Sequence, residues 1–204
     1  KFLNNSKLAN LLLFRNLIFY FVKNIIRLLM RKLKNSELGR LKVHEFKKTP
    51  KTPLIIILDD IRSLNNIGSI FRTADAFIVE KIILCGITAC PPNKDIQKTA
   101  LGSTESVEWE YHNDIHLVIE NLKKEGVYIW SIEQTENSCK LNSIKISHNL
   151  KHAIILGNEV KGVSQNAINL SDNVIEIPQY GTKHSLNVSS CSAIVLWEFY
   201  NALN

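Results

Sequence analysis

Cysteine is scarce in the 204-residue sequence, and its four cysteines form no pattern typical of a metal site. No C-x-x-C pair occurs, and no histidine stands at the spacing that a zinc site requires. Cys85 and Cys191 lie within apolar runs, where a free cysteine behaves as a small core residue. The sequence therefore predicts a reduced, cytoplasmic chain without a metal centre.

Two common nucleotide-binding motifs are also missing. No Walker A loop and no G-x-G-x-x-G sequence follows any of the predicted strands. Such glycine-rich loops hold the phosphates of nucleoside triphosphates and of dinucleotide cofactors. Their absence argues against a nucleoside triphosphatase and against a nicotinamide-dependent enzyme.

Acidic residues are nearly absent from the first quarter of the chain. Residues 1–51 carry thirteen Lys and Arg against Glu37 and Glu45, a net charge of +11, whereas the remainder has a net charge of −5. A basic segment attached to a mildly acidic body is typical of a protein that binds a polyanion. The alternative is a solvated basic tail. Aromatic residues are rare between Arg31 and Lys51, so phosphate contacts are favoured over base stacking.

Apolar runs alternate with amphipathic segments from Leu54 onward, which is typical of an α/β domain. Leu54–Leu58 is a continuous apolar run, the pattern of a strand buried on both faces of a parallel sheet. Further strands are predicted at Lys81–Cys85, Val107–Tyr111, Val127–Ile132, Ala153–Leu156 and Val174–Ile177. Helices are predicted from near Asn66, from Asp114 to Glu125 and from near Asn187. We expect Gly86–Thr104 to be a long functional loop.

Polar residues are concentrated where the last helix begins. One side chain is enough to cap a helix, yet the sequence offers Ser185, Asn187, Ser189 and Ser190. This surplus of hydroxyl and amide groups at a strand-to-helix turn predicts a ligand site. The alternative is a loop with a redundant cap.

Two other strand ends carry groups suited to chemistry. After the strand at Leu54–Leu58, Asn66 is followed six residues later by Arg72, whose alternative role is a surface pair with Asp75. After the strand at Ala153–Leu156 comes a Gly-x-Glu sequence, Gly157-Asn158-Glu159. A glycine at the carboxyl end of a parallel strand lets a ligand approach the backbone. The alternative there is an ordinary turn.

Taken together, these three segments resemble, in order, the signature motifs of one family. Ile177-Pro178-x-x-Gly181-x-x-x-Ser185-Leu186-Asn187-Val188-Ser189 is similar to the third motif of the SpoU (TrmH-like) 2′-O-ribose RNA methyltransferases of the SPOUT superfamily. The resemblance covers residues 54–200. It implies an α/β fold in which a parallel sheet is flanked by helices and the chain forms a deep trefoil knot. It also implies a homodimer with the active site at or near the interface.

The resemblance assigns roles to eight residues. Gly157, Ile177 and Leu186 match cofactor-binding positions for S-adenosylmethionine. Arg72 matches the catalytic arginine, and the remaining polar residues would surround it and the ribose: Asn66, Glu159, Ser185 and Asn187. A guanidinium is a poor proton acceptor. We therefore expect Arg72 to stabilise the developing alkoxide and to orient the neighbouring phosphate.

The implied reaction is methyl transfer to a ribose 2′-OH of structured RNA. Transfer RNA is favoured over ribosomal RNA because the extensions outside the core are short. The alternative of a different class is a knotted RNA-binding protein without catalysis. We expect Lys47, Lys48 and Lys51 to contact RNA phosphates.

Three regions are predicted along the chain: residues 1–29, a basic arm at 30–53 and a methyltransferase domain at 54–204. Arg15, Lys23 and Arg27 interrupt the apolar run of the first region, so it would be a poor membrane span and membrane binding is not expected. Met30 is the only methionine, and the sequence that follows it resembles the start of short family members. We expect translation to begin at Met30. The alternative is an amphipathic basic helix that lies on a membrane or a partner.

Overall fold

The computed structural model describes residues 5–204, except for the side chains of residues 5–9, 28 and 29. The chain divides into two compact units, one ending at Leu41 and the other running from Lys42 to Asn204. In the first unit, helix α1 (Asn5–Leu29) is followed by a 3-10 turn at Asn35–Glu37. No helix within residues 5–204 is long and apolar enough to cross a membrane. Translation from Met30 stays a prediction.

The second unit contains the remaining helices and all the strands described in residues 5–204. Its strands are β1 (Thr52–Asp59), β2 (Val79–Cys85), β3 (Glu108–His112), β4 (Tyr128–Ile132), β5 (Cys139–Lys140), β6 (His152–Leu156) and β7 (Asn173–Glu176). Its α-helices are α2 (Val43–Lys48), α3 (Leu64–Ala76), α4 (Lys94–Ala100), α5 (Ser103–Ser106), α6 (Ile115–Lys124), α7 (Gln165–Leu170) and α8 (Val188–Leu203). A second 3-10 turn spans Leu141–Ser143.

Within the described residues, the seven strands form one parallel sheet in the order β3-β2-β1-β6-β4-β7-β5. Side chains alternate between the two faces of β1. Ile56 and Leu58 pack with residues of α3 and α8 on one face, while Ile55 and Ile57 pack with residues of α6 and α7 on the other. The prediction of a parallel sheet flanked by helices is confirmed. The trefoil knot stays a prediction.

The segment expected to be one long loop is instead partly helical. Within Gly86–Thr104, Asn93 caps α4 by accepting a hydrogen bond from Asp95 N at 2.9 Å, and α5 follows. Gly68 lets α4 lie directly against α3, because a Cβ at this position would overlap the backbone of α4 and the Thr99 hydroxyl. The prediction of a loop was wrong because α4 has no strong hydrophobic periodicity in its sequence and is stabilised instead by its contact with α3.

The part of the basic arm from Lys42 onward belongs to the second unit, and two of its residues pack against each other. Phe46 is buried in the core, and Lys51 Nζ lies 3.6 Å from the centre of its ring. The Lys51 ammonium also donates a hydrogen bond to Phe46 O. Burial lowers the pKa of Lys51, with the charges of Asp75 and Glu108 opposing it. Lys47 and Lys48 are exposed, so they are better placed than Lys51 to meet a phosphate.

Candidate active site

The first motif lies where β1 leads into α3. Ser63 caps α3 and accepts a hydrogen bond from Asn66 N at 3.3 Å. Asn66 therefore occupies the first turn of the helix, with its side chain near the carboxyl end of the sheet. Ile67, Ile70, Phe71 and Ala74 form the buried face of α3, as the periodicity predicts.

The second motif forms a tight turn after β6. The Asn158 side chain accepts hydrogen bonds from Val160 N and Lys161 N at 2.9 and 3.0 Å, and it donates one to Asp60 O at 2.7 Å. A Cβ on Gly157 would overlap the backbone of Gly162 and Val163. The turn after β6 therefore requires glycine at this position, whereas the sequence pattern predicted that glycine would let a ligand approach the backbone.

Glu159 joins the second motif to the first. Its carboxylate accepts hydrogen bonds from Arg62 N and Ser63 N, both at 3.0 Å, and from Asn66 Nδ2 at 2.9 Å. Burial acts to raise the pKa of Glu159, but these hydrogen bonds outweigh it and leave the pKa below its usual value. Glu159 is therefore ionised at neutral pH and serves as a fixed acceptor rather than as a proton donor.

Asn187 joins the third motif to the other two. Its side-chain oxygen caps α8 by accepting from Ser189 N at 2.9 Å and from Ser190 N at 3.4 Å. Its amide nitrogen donates to Asn66 Oδ1 at 3.1 Å, across 121 residues of sequence. Each partner fixes the orientation of the next amide, since a carboxylate can only accept and Asn66 must then present its oxygen to Asn187. We call this chain of hydrogen bonds, in which Asn187 donates to Asn66 and Asn66 donates to Glu159, the junction.

A pocket of about 520 Å³ opens beside this junction. It lies at the carboxyl ends of β6, β4 and β7, which is where open α/β sheets bind ligands. The predicted residues in its lining are Gly157, Glu159, Ile177, Ser185, Leu186 and Asn187. Six of the eight predicted site residues are thus brought together, and Asn66 adjoins them through Glu159 and Asn187.

Arg72 does not join this pocket. It lies on α3 about 9 Å along the helix axis from Asn66 and roughly 240° around it, and its side chain is exposed. Its guanidinium has no hydrogen bond or ion pair with any residue in the range 5–204. The alternative role as a partner of Asp75 is not observed, since Asp75 accepts a hydrogen bond from Ser106 instead.

Sequence reasoning missed Glu133, which lines the pocket immediately after β4. Its carboxylate accepts hydrogen bonds from Gln134 N and Val163 N, both at 2.9 Å. Gln134 Nε2 in turn donates to His184 O at 2.8 Å, which ties the strand end to the third motif. Glu133 could have been predicted from its position directly after β4, because polar residues that follow parallel strands meet at the same edge of the sheet.

Cys191 also lines the pocket, but its thiol is inert. Burial raises the pKa of Cys191 to about 11, and the nearby charge of Glu133 adds to this effect. Burial likewise raises the pKa of Cys85 to about 12. A thiolate is the nucleophilic form of cysteine, so neither residue is suited to covalent catalysis. Within residues 5–204, no cluster of His, Cys, Asp and Glu could hold a metal ion.

The pocket fits the cofactor that the motifs imply. Its volume is that of a small-molecule site, and Leu156, Ile177 and Leu186 supply apolar walls for an aromatic base. Glu133 and Glu176 add carboxylates that suit a cationic ligand. S-Adenosylmethionine combines an adenine with a positively charged sulfonium, so the residues present suit both of its ends.

Comparisons with known proteins agree with this geometry. The family model described as the SpoU rRNA Methylase family matches residues 53–197. The chain is 34% identical over 160 residues to an uncharacterized tRNA/rRNA methyltransferase of Borreliella burgdorferi, covering 77% of this chain and 68% of that protein. It is 28% identical over 163 residues to the tRNA (guanosine(18)-2′-O)-methyltransferase of Thermus thermophilus, covering 80% of this chain and 82% of that protein.

A solved structure supports the fold. The SpoU methyltransferase AviRb of Streptomyces viridochromogenes, crystallised in complex with the cofactor AdoMet, superposes with a TM-score of 0.68 at 22% identity. The match covers 76% of this chain and 62% of that chain.

Proposed function

The chain belongs to the SpoU rRNA methylase family, and from that premise we propose that it methylates a ribose 2′-OH of transfer RNA. It is an RNA 2′-O-methyltransferase, and it uses S-adenosylmethionine as methyl donor. The pocket beside the junction of Glu159, Asn66 and Asn187 is the cofactor site, where Gly157, Ile177 and Leu186 contact the cofactor. The junction carries this assignment, because it joins all three motifs at the rim of the pocket.

The junction prepares donors for the substrate. An asparagine amide has two N–H groups, and Asn66 and Asn187 each use one of them within the junction. The second N–H of each amide remains for the ribose or its phosphate. Ser185 lines the same rim and adds a hydroxyl. Glu159 acts as a positioning residue, since its charge fixes the orientation of Asn66.

Catalysis requires an anchor for the developing alkoxide. Bound S-adenosylmethionine supplies the activated methyl group. The nucleophile is the ribose hydroxyl, whose oxygen becomes more negative as its proton leaves. Arg72 stabilises that oxygen and orients the adjacent phosphate, while the phosphate or water accepts the proton. Removing one donor that stabilises such a developing charge typically lowers the rate by about 10²–10³-fold.

The position of Arg72 supports a shared site in a homodimer. Arg72 is exposed and lies outside the pocket of its own chain, and we infer that a second copy brings it to the pocket of the partner. Helix α8 offers an apolar surface for such contact, because Ile194 is 42% and Trp197 is 54% exposed. Phe199 on the same helix does not contribute to this surface, because it is fully buried against Trp130 and His152.

Transfer RNA is the favoured substrate. The Thermus thermophilus tRNA enzyme matches over most of both chains, and Lys47 and Lys48 are exposed for phosphate contact. Ribosomal RNA is the second candidate, because the family description names rRNA and the Borreliella burgdorferi relative carries both substrates in its name. The proposal places the enzyme in the cytoplasm, which its four free cysteines fit.

Ribose-methylation mapping tests the proposal. RNA from cells with and without the gene is compared by alkaline hydrolysis and sequencing, because 2′-O-methylation protects the adjacent phosphodiester. We expect one tRNA position to lose its protection and to regain it when the purified enzyme and S-adenosylmethionine are added. Loss at a ribosomal position would favour the second candidate. If the purified protein binds the cofactor but methylates neither RNA, the result would support the alternative of an RNA-binding protein without catalysis.

A mixing experiment tests the shared site. Arg72→Ala and Asn187→Ala proteins are each expected to be inactive. If the two residues act across a dimer interface, an equimolar refolded mixture should recover about a quarter of the wild-type activity, because half of the dimers then hold one intact site. Recovery of no activity would place both residues in the same subunit's site.

A further inference from the structure

Glu133 has unused acceptor capacity inside the pocket. Each of its two carboxylate oxygens accepts one backbone N–H, from Gln134 and from Val163. A carboxylate offers about four acceptor positions, so roughly half of them remain. The side chain is half-buried, and it lines the pocket. Its charge is therefore held in place by the backbone while one side still faces the ligand space.

The ionisable groups around this space are mostly acidic. The lining contains Glu133, Glu159 and Glu176 against a single basic side chain, the exposed Lys161, together with His184. Across the part of the chain that the structure describes, no Lys or Arg forms an ion pair with any of the three glutamates. Charges at the edge of a pocket act on a ligand charge more strongly than fully solvated charges do, and salt still weakens them because the pocket is open to solvent. The pocket consequently presents a negative potential to whatever enters it.

The two forms of the cofactor differ in charge. S-Adenosylmethionine carries a sulfonium, an ammonium and a carboxylate, which leaves one net positive charge. Methyl transfer moves the methyl group to the ribose oxygen, the electron pair of the S–CH₃ bond stays on sulfur, and the hydroxyl proton leaves to solvent. The product, S-adenosylhomocysteine, is therefore neutral overall. A negative pocket holds the substrate form more tightly, relative to the product form, than an uncharged pocket would.

We propose that Glu133 is a specificity-determining residue that favours the binding of S-adenosylmethionine over that of S-adenosylhomocysteine and so promotes release of the spent cofactor. The inference rests on the proposed cofactor site. Glu133 is the chosen residue because Glu159 already accepts three hydrogen bonds within the junction. Glu133 lies near enough to the pocket wall for its charge to act on the Cys191 thiol.

Isothermal titration of the two ligands tests the proposal. In Glu133→Gln the dissociation constant for S-adenosylmethionine should rise about three- to tenfold, while that for S-adenosylhomocysteine changes less than about twofold. Glu136→Gln is the matched control, because Glu136 is exposed in the same loop and does not line the pocket; it should change neither constant. Equal weakening of both ligands in Glu133→Gln would indicate a local structural role and would overturn the proposal.

A salt series on the wild-type protein gives an independent measurement. Between about 50 and 500 mM NaCl, affinity for S-adenosylmethionine should fall while affinity for S-adenosylhomocysteine stays nearly constant. Identical salt dependence for the two ligands would overturn the proposal even if Glu133→Gln does not fold. A wild-type protein that binds neither ligand would instead refute the cofactor site, whereas binding of both with an unchanged ratio in Glu133→Gln refutes only the role of Glu133.

Discussion

Replacing Glu159 by Gln tests the junction at its most connected residue. The carboxylate accepts three hydrogen bonds, from Arg62 N, Ser63 N and Asn66 Nδ2. Glutamine is nearly the same size, but it offers one oxygen in place of two and turns an N–H₂ group toward a donor. At least one of the three hydrogen bonds must therefore break, and the others lose the contribution of the charge.

The expected loss of stability follows from this count. A hydrogen bond to a charged group contributes about 1.5–3 kcal/mol. Glu159 is only half-buried, so we take the lower end of that range. Loss of one such bond and weakening of the other two should lower the free energy of unfolding by about 2–3 kcal/mol. Methyl transfer should also fall, because Asn66 loses the acceptor that fixes its amide and Asn187 then loses its partner.

Urea unfolding and a methyl-transfer assay measure the two effects together. Glu125→Gln serves as the matched control, because Glu125 is exposed at the end of α6, does not line the pocket and should change neither quantity. A double-mutant cycle with Asn66→Ala isolates the pair, and we expect a coupling energy of about 1 kcal/mol. Additive effects would refute the idea that Glu159 acts through Asn66. A stability change below about 0.5 kcal/mol would refute the estimate for the junction.

Three further outcomes are expected. Arg72→Ala should reduce methyl transfer at least 10²-fold with little change in the dissociation constant for S-adenosylmethionine; retained activity, or loss of cofactor binding in calorimetry, would contradict its role. Replacing Lys47 and Lys48 by Gln should lower the salt slope of RNA affinity by about 1.5–2 units without moving the methylated nucleotide, and an unchanged slope would leave the arm as a solvated tail. Burial lowers the pKa of His152, with the hydrogen bond to Ser147 O opposing it. The contribution of neutral His152 to the free energy of unfolding should therefore be fully present above the pKa of the unfolded chain, near 6.5, and should be lost as the pH falls from there toward the lower pKa of the folded protein. Urea midpoints that stay constant between about pH 7.5 and 5 would disprove this.

Local sequence patterns predicted six of the seven strands in residues 5–204, the amphipathic helices α3, α6 and α8, and the three motifs, whereas β5 and the short helices α4, α5 and α7 were not predicted. Leu54–Leu58 was predicted to be a central parallel strand because every residue in it is apolar, so both faces of the strand must be buried, as they are in the structure. The cap at Asn187 was equally local, since its oxygen bonds to nitrogens two and three residues away. Both features depend on residues that are close together in the chain, so the local sequence is enough to predict them.

The contacts between segments far apart in the sequence depend on tertiary packing. The hydrogen bonds that Asn66 donates to Glu159 and that Asn187 donates to Asn66 span 93 and 121 residues, and no local pattern encodes them. Gly157 is required by the backbone of its own turn rather than by a ligand, and Phe199 is covered by aromatic residues from other elements. The separation of Arg72 from the pocket likewise depends on tertiary packing and was not predicted from the sequence. Periodicity fixes which face of a helix is buried, but the element that covers this face is fixed by packing.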